Sequence, residues 1–178
     1  MDMNMLQIRT ATERDYGGVK DFYYSLIEQF DRMEYSPGWK KGVYPTEEFL
    51  SGSIKNRELY IGEIEGQIIT CMAVNHEYND GYNRIKWSVE ASDEELLVIH
   101  ILGVLPAYSC KGIAKEMVQK VIETARENKI KTIRLDVLDG NIPAEKAYTK
   151  MGFKYIDSVR MYYEDTGWTT FRLFEFVI

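Results

Sequence analysis

Hydrophobic residues recur at helical spacing between Ile113 and Ala125. Ile113, Ala114, Met117, Val118, Val121, Ile122 and Ala125 share one face, and Lys115, Glu116, Gln119, Lys120, Glu123 and Arg126 share the other. The spacing predicts an amphipathic helix laid on a core. An earlier stretch, from about Glu13 to Phe30, carries Val19, Phe22, Tyr23, Leu26, Ile27 and Phe30 in the same period, with Thr12 as its N-cap. Strand patterns surround these helices. MLQIRTA reads as a first strand, and ELYIGEIEGQIITCMAVNHEY alternates about Glu65-Gly66 as an antiparallel hairpin. ELLVIHILGVLP is apolar on both faces and is expected as a central strand. KTIRLDVLD follows as another strand, then NIPAEKAYTKM as a helix with Asn141 as N-cap, Pro143 in its first turn and Gly152 just past its end. Phe153 to Tyr163 and Trp168 to Val177 read as two closing strands joined through Glu164-Asp165-Thr166-Gly167.

Two stretches break the periodicity. DRMEYSPGWKKGVYPTEEFLSGSI is expected as a long aromatic-rich loop with a short helix after Pro45. NDGYNRIKWSVEASDEE is expected as a loop with a short strand near Ile85 to Val89. No repeat, low-complexity tract or linker composition interrupts the chain. With 178 residues, 45% hydrophobic and 28% charged, a single domain over residues 1–178 is expected. Its class is mixed α/β, with a strand–loop–helix–strand–helix unit at the centre.

Chemistry enters at Val104 to Ala114, VLPAYSCKGIA, where a strand stops and a glycine-bearing loop leads at once into a helix. Such a junction leaves backbone N–H groups unpaired at the positive end of a helix dipole and suits phosphate. The formal charge of −6 argues against a general nucleic-acid binder, so any phosphate is held locally. Cys71 and Cys110 are the only cysteines and make no disulfide framework. The N-terminus lacks a signal-peptide pattern, and LLVIHILGVL is too short to span a bilayer. A cytoplasmic protein with no membrane partner is expected. Neither G-x-G-x-x-G nor G-x-x-x-x-G-K-[ST] is present.

What is present is Val104-Leu105-Pro106, the loop from Ser109 to Lys115 with Gly112 and Ala114, and then Asn141-x-x-Ala144-x-x-x-Tyr148 followed by Lys150-x-Gly152-Phe153. In this combination the chain resembles the GCN5-related N-acetyltransferases. The resemblance implies a twisted, mostly antiparallel sheet of about seven strands flanked by helices. It also implies acetyl-CoA as co-substrate, with no metal. The pyrophosphate of coenzyme A would lie on the amides of Cys110, Lys111, Gly112, Ile113, Ala114 and Lys115, with Ser109 beside them as a further cofactor contact. The strand edge at Leu102, Gly103 and Val104 would hold the pantetheine arm. Asn141, Ala144 and Tyr148 would contact the cofactor, with Tyr148 near the thiol sulfur. The family usually has Gln or Arg where this chain has Ser109, which implies a weaker side-chain contact to phosphate. Gly112 lets a diphosphate approach closely, and Lys111 and Lys115 add positive charge.

Acyl transfer to an amine raises two proton problems. An alkylamine with a pKa of about 10.4 is protonated at neutral pH, and exposing its lone pair costs about 4 to 5 kcal/mol. His100, on the central strand, is the candidate base, expected on the same face as Leu102 and Val104. Glu90, Glu94 and Glu95 are alternatives acting through water. For the departing thiolate, proton donation from a phenol is uphill by about 2 kcal/mol, so hydrogen-bond stabilisation is the expected role of Tyr148. Cys110, inside the phosphate loop, points away from acyl exchange, which favours direct attack in a ternary complex. Acceptor contacts are expected from Asp31, Glu34, Tyr35, Trp39 and Tyr44, with Trp87, Tyr162 and Tyr163 as contributors. Acidic groups beside aromatic faces suit a cationic amine, whether of a small molecule or a peptide. A catalytically silent module that binds acyl-CoA is the competing class, and the aromatic closing strands leave room for a homodimer.

Overall fold

The computed structural model describes residues 5–178. Seven strands form one sheet in the order β1-β2-β3-β4-β5-β7-β6. The strands are β1 (Gln7–Thr10), β2 (Leu59–Ile64), β3 (Gln67–Asn75), β4 (Leu96–Val104), β5 (Thr132–Leu138), β6 (Lys154–Tyr163) and β7 (Gly167–Val177), with helices α1 (Tyr16–Glu28), α2 (Glu47–Lys55), α3 (Ile113–Glu127) and α4 (Ile142–Lys150). All neighbours are antiparallel except β4 and β5. The mixed α/β class and the central place of the LLVIHILGV strand agree with the sequence reading.

Local chemistry sets the boundaries. The Thr12 N–H donates to Asp15 Oδ2 at 2.7 Å, and the Asp15 N–H returns to the Thr12 carbonyl at 2.8 Å. This cap starts a 3-10 turn over Glu13–Asp15 before α1 proper, and a second such turn, Phe30–Arg32, follows α1. Thr46 Oγ1 accepts from the Phe49 N–H at 3.0 Å and opens α2 after Pro45, as the sequence predicts. Glu65 and Gly66 take φ of 52° and 79°, the geometry of a two-residue hairpin.

The sheet separates two main cores. Beneath α3 and α4 lie Met72, Leu97, Ile99, Met117, Val118, Leu135 and Phe174, whereas beneath α1 and α2 lie Val19, Tyr23, Leu50, Ile61, Cys71 and Ile101. Helices α1 and α3 bury the faces that their periodicity predicts, whereas α4 buries no residue fully.

Two findings depart from the sequence reading. Residues 85–89 form no strand, because their backbone groups bond to side chains instead of a neighbouring strand. The Ser88 N–H donates to Glu175 Oε1 at 3.0 Å, and the Val89 carbonyl accepts from Arg134 Nη2 at 2.7 Å. The strand β4 also carries a bulge. On β3, Cys71 pairs with Gly103 and Ala73 with His100, so three steps on β4 oppose two on β3. Ile101 has φ 50°, and its carbonyl accepts from the buried Tyr23 hydroxyl at 2.9 Å. The extra residue reverses the alternation. Leu102 packs toward α3 and α4, while His100 lies against Phe49 of α2, ring centroids 6.1 Å apart. His100 therefore does not share a face with Leu102.

Candidate active site

The side expected to hold the donor is built from backbone. After β4, a single 3-10 turn over Pro106–Tyr108 leads to Cys110 and Gly112, with φ of 60° and 81°. Two left-handed residues around Lys111 turn the chain sharply enough for α3 to begin at Ile113. A β carbon at Gly112 would meet nothing within 4 Å. The glycine thus serves its conformation and the open space before it, not an internal contact. The first return bond of α3 runs from the Glu116 N–H to the Gly112 carbonyl, which leaves the amides of Ile113, Ala114 and Lys115 outside the ladder. Buried Ile113 anchors the helix end against Ile64 and Ile69, and Ser109, Cys110, Lys111 and Lys115 stay exposed. Lys111 stands 5.5 Å over the Tyr108 ring. Outward amides, clear space and two cations fit a diphosphate.

From this loop an opening runs into the sheet. The strands β4 and β5 pair only through Leu96–Thr132, Leu97–Ile133 and Val98–Arg134. Beyond these rungs they diverge, and the β4 edge from 99 to 104 has no partner on the β5 side. A cavity of about 160 Å³ fills the divergence, lined by His100, Leu102, Asp136, Asn141, Ala144, Tyr148 and Tyr163 among others. Tyr148 packs edge-on against Phe153 at 5.6 Å, and its hydroxyl makes no hydrogen bond among the described residues. Burial, with a smaller push from the charge of Asp136, raises its pKa above the ordinary phenol value. It is thus a neutral donor facing a cavity.

Asp136 alternates on β5 with Leu135 and Val137, which pack under α3 and α4, so it projects from the opposite face of the sheet. Tyr82 Oη donates to its Oδ2 at 2.7 Å and Tyr163 Oη to the same atom at 2.9 Å. Burial raises this carboxyl pKa, and the two tyrosine hydrogen bonds only partly offset the rise. Tyr82 is held by the segment that replaces the expected strand. Trp87 Nε1 donates to the Tyr82 carbonyl at 2.9 Å, and Arg134 lies 4.3 Å over the Trp87 ring while ion-pairing with buried Glu175 at 3.0 Å.

A family model for the acetyltransferase (GNAT) family matches residues 23–153. The chain belongs to this family. A ribosomal protein bS18-alanine N-acetyltransferase of Haemophilus ducreyi is 28% identical over 90 residues, which cover 51% of this chain and 62% of that relative. Less than two thirds of the relative is therefore matched. A GNAT-family acetyltransferase of Streptococcus agalactiae shares the fold with a TM-score of 0.79 at 21% identity, over 97% of this chain and 95% of that one. A Salmonella typhimurium protein solved with its cofactor acetyl-CoA gives a TM-score of 0.69 at 13% identity, over 97% and 94% of the two chains.

The residues expected to contact an acceptor divide in this family member. Trp39 and Tyr44 line the cavity with Asp136, and Tyr163 joins them. Glu34, Tyr35 and Trp39 border an adjoining groove that reaches Leu102, Gly103 and Val104. Asp31 is exposed and borders neither, Trp87 and Glu90 line a separate groove, and Tyr162 is exposed against Trp168. Glu95 ion-pairs with Lys131 at 3.0 Å and accepts from the Ser92 N–H at 3.0 Å. It is thus engaged at the start of β4, beside the parallel rungs. His100 lines the cavity, but its Nε2 lies 2.8 Å from Asn75 Oδ1, and burial pushes its pKa down to about 4. A histidine so placed is neutral and weakly basic. Among the described residues, no cluster of three metal-ligating side chains occurs and no helix is long and apolar enough to cross a membrane.

Asp136 was not singled out from the sequence, although a signal exists. It is the lone acid inside the apolar strand TIRLDVL, immediately before the Asn141 motif. Asp165 had no such signal. Glu-Asp-Thr-Gly reads as a solvated turn, yet Asp165 is only 5% exposed and lines the cavity.

Proposed function

We propose that this acetyltransferase moves the acetyl group of acetyl-CoA to a primary amine by direct attack in a ternary complex. The observation that carries the reading is the opening between β4 and β5, with Tyr148 on the α4 side and Asp136 on the other. Acetyl-CoA supplies the activated acetyl thioester. The 109–115 loop would hold its diphosphate by backbone amides, the unpaired edge at Leu102 to Val104 would bond its pantetheine arm, and Asn141 and Ala144 would border the arm where it enters the cavity.

Each remaining requirement falls to a side chain. Asp136 is proposed as the base, in place of His100. Its Oδ2 is occupied by two hydroxyls, which leaves Oδ1 for an incoming ammonium, and a raised carboxyl pKa narrows the gap to the amine. The neutral Tyr148 hydroxyl is proposed to donate a hydrogen bond to the negative charge that develops on sulfur. The raised pKa of Tyr148 makes outright proton release harder and favours this hydrogen-bonding role. The acceptor is proposed to be an amine of a small molecule or a peptide. The bS18-alanine N-acetyltransferase relative supports an amine acceptor, over half of the chain.

Two measurements test the reading. Calorimetry with acetyl-CoA is expected to show stoichiometric binding, and free-thiol release across an amine panel is expected to depend on the amine. Tight binding with no amine-dependent thiol release over a broad panel would instead support a silent acyl-CoA-binding module.

A further inference from the structure

Among the described residues, Asp165 Oδ1 is the buried side-chain polar atom that lacks a hydrogen-bond partner. Buried polar atoms are almost always satisfied, and a buried carboxylate oxygen without a partner carries a cost of the order of a few kcal/mol. An orphan of this kind on a cavity wall is open to a donor that enters the cavity. Asp165 lies in the turn between β6 and β7, is 5% exposed, and lines the same cavity as Asp136 and Tyr148.

The walls around it are specific in character. Trp39, Tyr44, Tyr163 and Phe171 present aromatic rings to the cavity, with the rings of Tyr44 and Tyr163 5.6 Å apart. The roof is the loop from 33 to 46. Gly38, at φ 83°, comes so close to the turn that a β carbon there would stand 3.0 Å from Thr166 Cγ2 and 3.3 Å from Leu138 Cδ2. Loop and turn thus meet over the cavity and keep Asp165 beneath them. Desolvation raises the Asp165 carboxyl pKa and the charge of Asp136 adds to the rise, while the amides of Asp165 and Thr166 and the charge of exposed Lys40 oppose it. Lys40 comes no nearer than this long-range influence, with no ion pair to Asp165 among the described residues.

We infer that the acceptor is a compact diamine, with one nitrogen at Asp136 for acylation and a second cationic nitrogen held by Asp165 Oδ1 inside the aromatic box. This assignment rests on the acyl-transfer reading for the first nitrogen and goes beyond it for the second. A buried carboxylate facing aromatic rings favours a cation over a neutral alkyl end, through charge and through the ring faces together. A monoamine of equal length would leave Asp165 Oδ1 as it stands, buried and without a partner. A peptide N-terminus without a basic side chain offers only neutral amides beyond its amine and would leave Asp165 without a cation too.

The test is a matched pair of probes on the full chain, putrescine and n-butylamine, which differ by one terminal nitrogen. With coenzyme A present, calorimetry is expected to show putrescine bound at least about tenfold more tightly. Asp165→Asn is expected to bring the two within about threefold while binding acetyl-CoA as the wild type does, which also shows that the variant folds. Equal binding of the two probes by wild type would overturn the inference without any variant. So would a putrescine preference that survives in Asp165→Asn. Thiol release separates the two readings. Release with monoamines and no diamine preference sinks the diamine site and leaves acyl transfer standing. An Asp165-dependent diamine preference in binding, with no thiol release, does the reverse.

Discussion

The two ends of the cavity are made of different material. At the proposed donor end the groups are backbone: amides at the start of α3, a glycine at φ 81° and a strand edge left open by divergence from β5. At the proposed acceptor end they are side chains gathered from across the chain, with Tyr44 from the α1–α2 loop, Tyr82 from the strap before β4, Asp136 from β5, and Tyr163 and Asp165 from the closing hairpin. A backbone site needs only a short sequence that bends in one way, whereas a side-chain site needs the whole fold to be correct.

Replacing Asp136 with Asn is the strongest way to break this contrast. It keeps the shape and the tyrosine contacts but removes the charge and the proton-accepting oxygen. Turnover is expected to fall by about a hundredfold to ten-thousandfold, the range for a general base, with acetyl-CoA affinity unchanged in calorimetry. The sign of the pH effect follows from the raised carboxyl pKa. Activity requires the ionised form, so the rate contributed by Asp136 is lost as pH falls through that raised value, and this limb disappears in Asp136→Asn. Equal loss of coenzyme affinity would mean that the two ends are not separable.

The complementary change is Gly112→Ala. No atom obstructs the new methyl group, but the left-handed backbone costs about 1 to 2 kcal/mol for a residue with a β carbon, and the methyl stands in the space that a diphosphate would use. Acetyl-CoA binding is expected to weaken by about tenfold or more, read as a calorimetric Kd. At saturating acetyl-CoA the turnover should recover most of its wild-type value. Failure to recover would place this loop in the chemistry as well as in binding.

The same division explains what the sequence could tell. The glycine-bearing loop and the amphipathic α3 are local patterns readable from spacing, Tyr148 is what the family resemblance implies, and Asn141 stands at the start of α4 without a side-chain cap bond. The bulge at Ile101 was not readable, because in LLVIHILGV every position is apolar apart from His100 and Gly103, and no polar alternation marks the slip. That slip decides the face on which His100 lies. The strap over 85–89 was read as a strand from its apolar residues, and only the Arg134–Glu175 pair, 41 residues apart in sequence, shows why it is not one. Asp165 depends on contact between two loops that the chain separates widely, which no local rule anticipates.

Tyr148→Phe probes the meeting point of the two ends. The ring keeps its contact with Phe153, so folding and coenzyme binding should hold, and the loss is confined to one hydrogen bond to a developing charge. Such a bond is worth about 1.5 to 3 kcal/mol, which predicts a fall in turnover of at least about tenfold. Single-turnover measurement should assign the fall to the chemical step. An unchanged rate would remove Tyr148 from the mechanism and leave Asp136 as the only reacting side chain.

The smallest effect on turnover is expected from His100→Gln. Its pKa, pushed down to about 4 by burial, lies below the value of about 6.5 in an unfolded chain. Between those values the unfolded state binds a proton that the folded state does not, so stability is fully present above pH of about 6.5 and declines as pH falls toward 4. Gln at this position keeps a hydrogen-bonding group opposite Asn75 and removes the titration. Denaturant unfolding in neutral and in mildly acidic buffer should therefore show a smaller acid loss for the variant than for wild type. Turnover should stay within about threefold, because a group so weakly basic accepts little of the proton from an amine. A loss as large as that of Asp136→Asn would return the role of base to His100, moving that role from β5, whose strand carries the acid in plain sight, to the bulged strand, whose side-chain directions the sequence conceals.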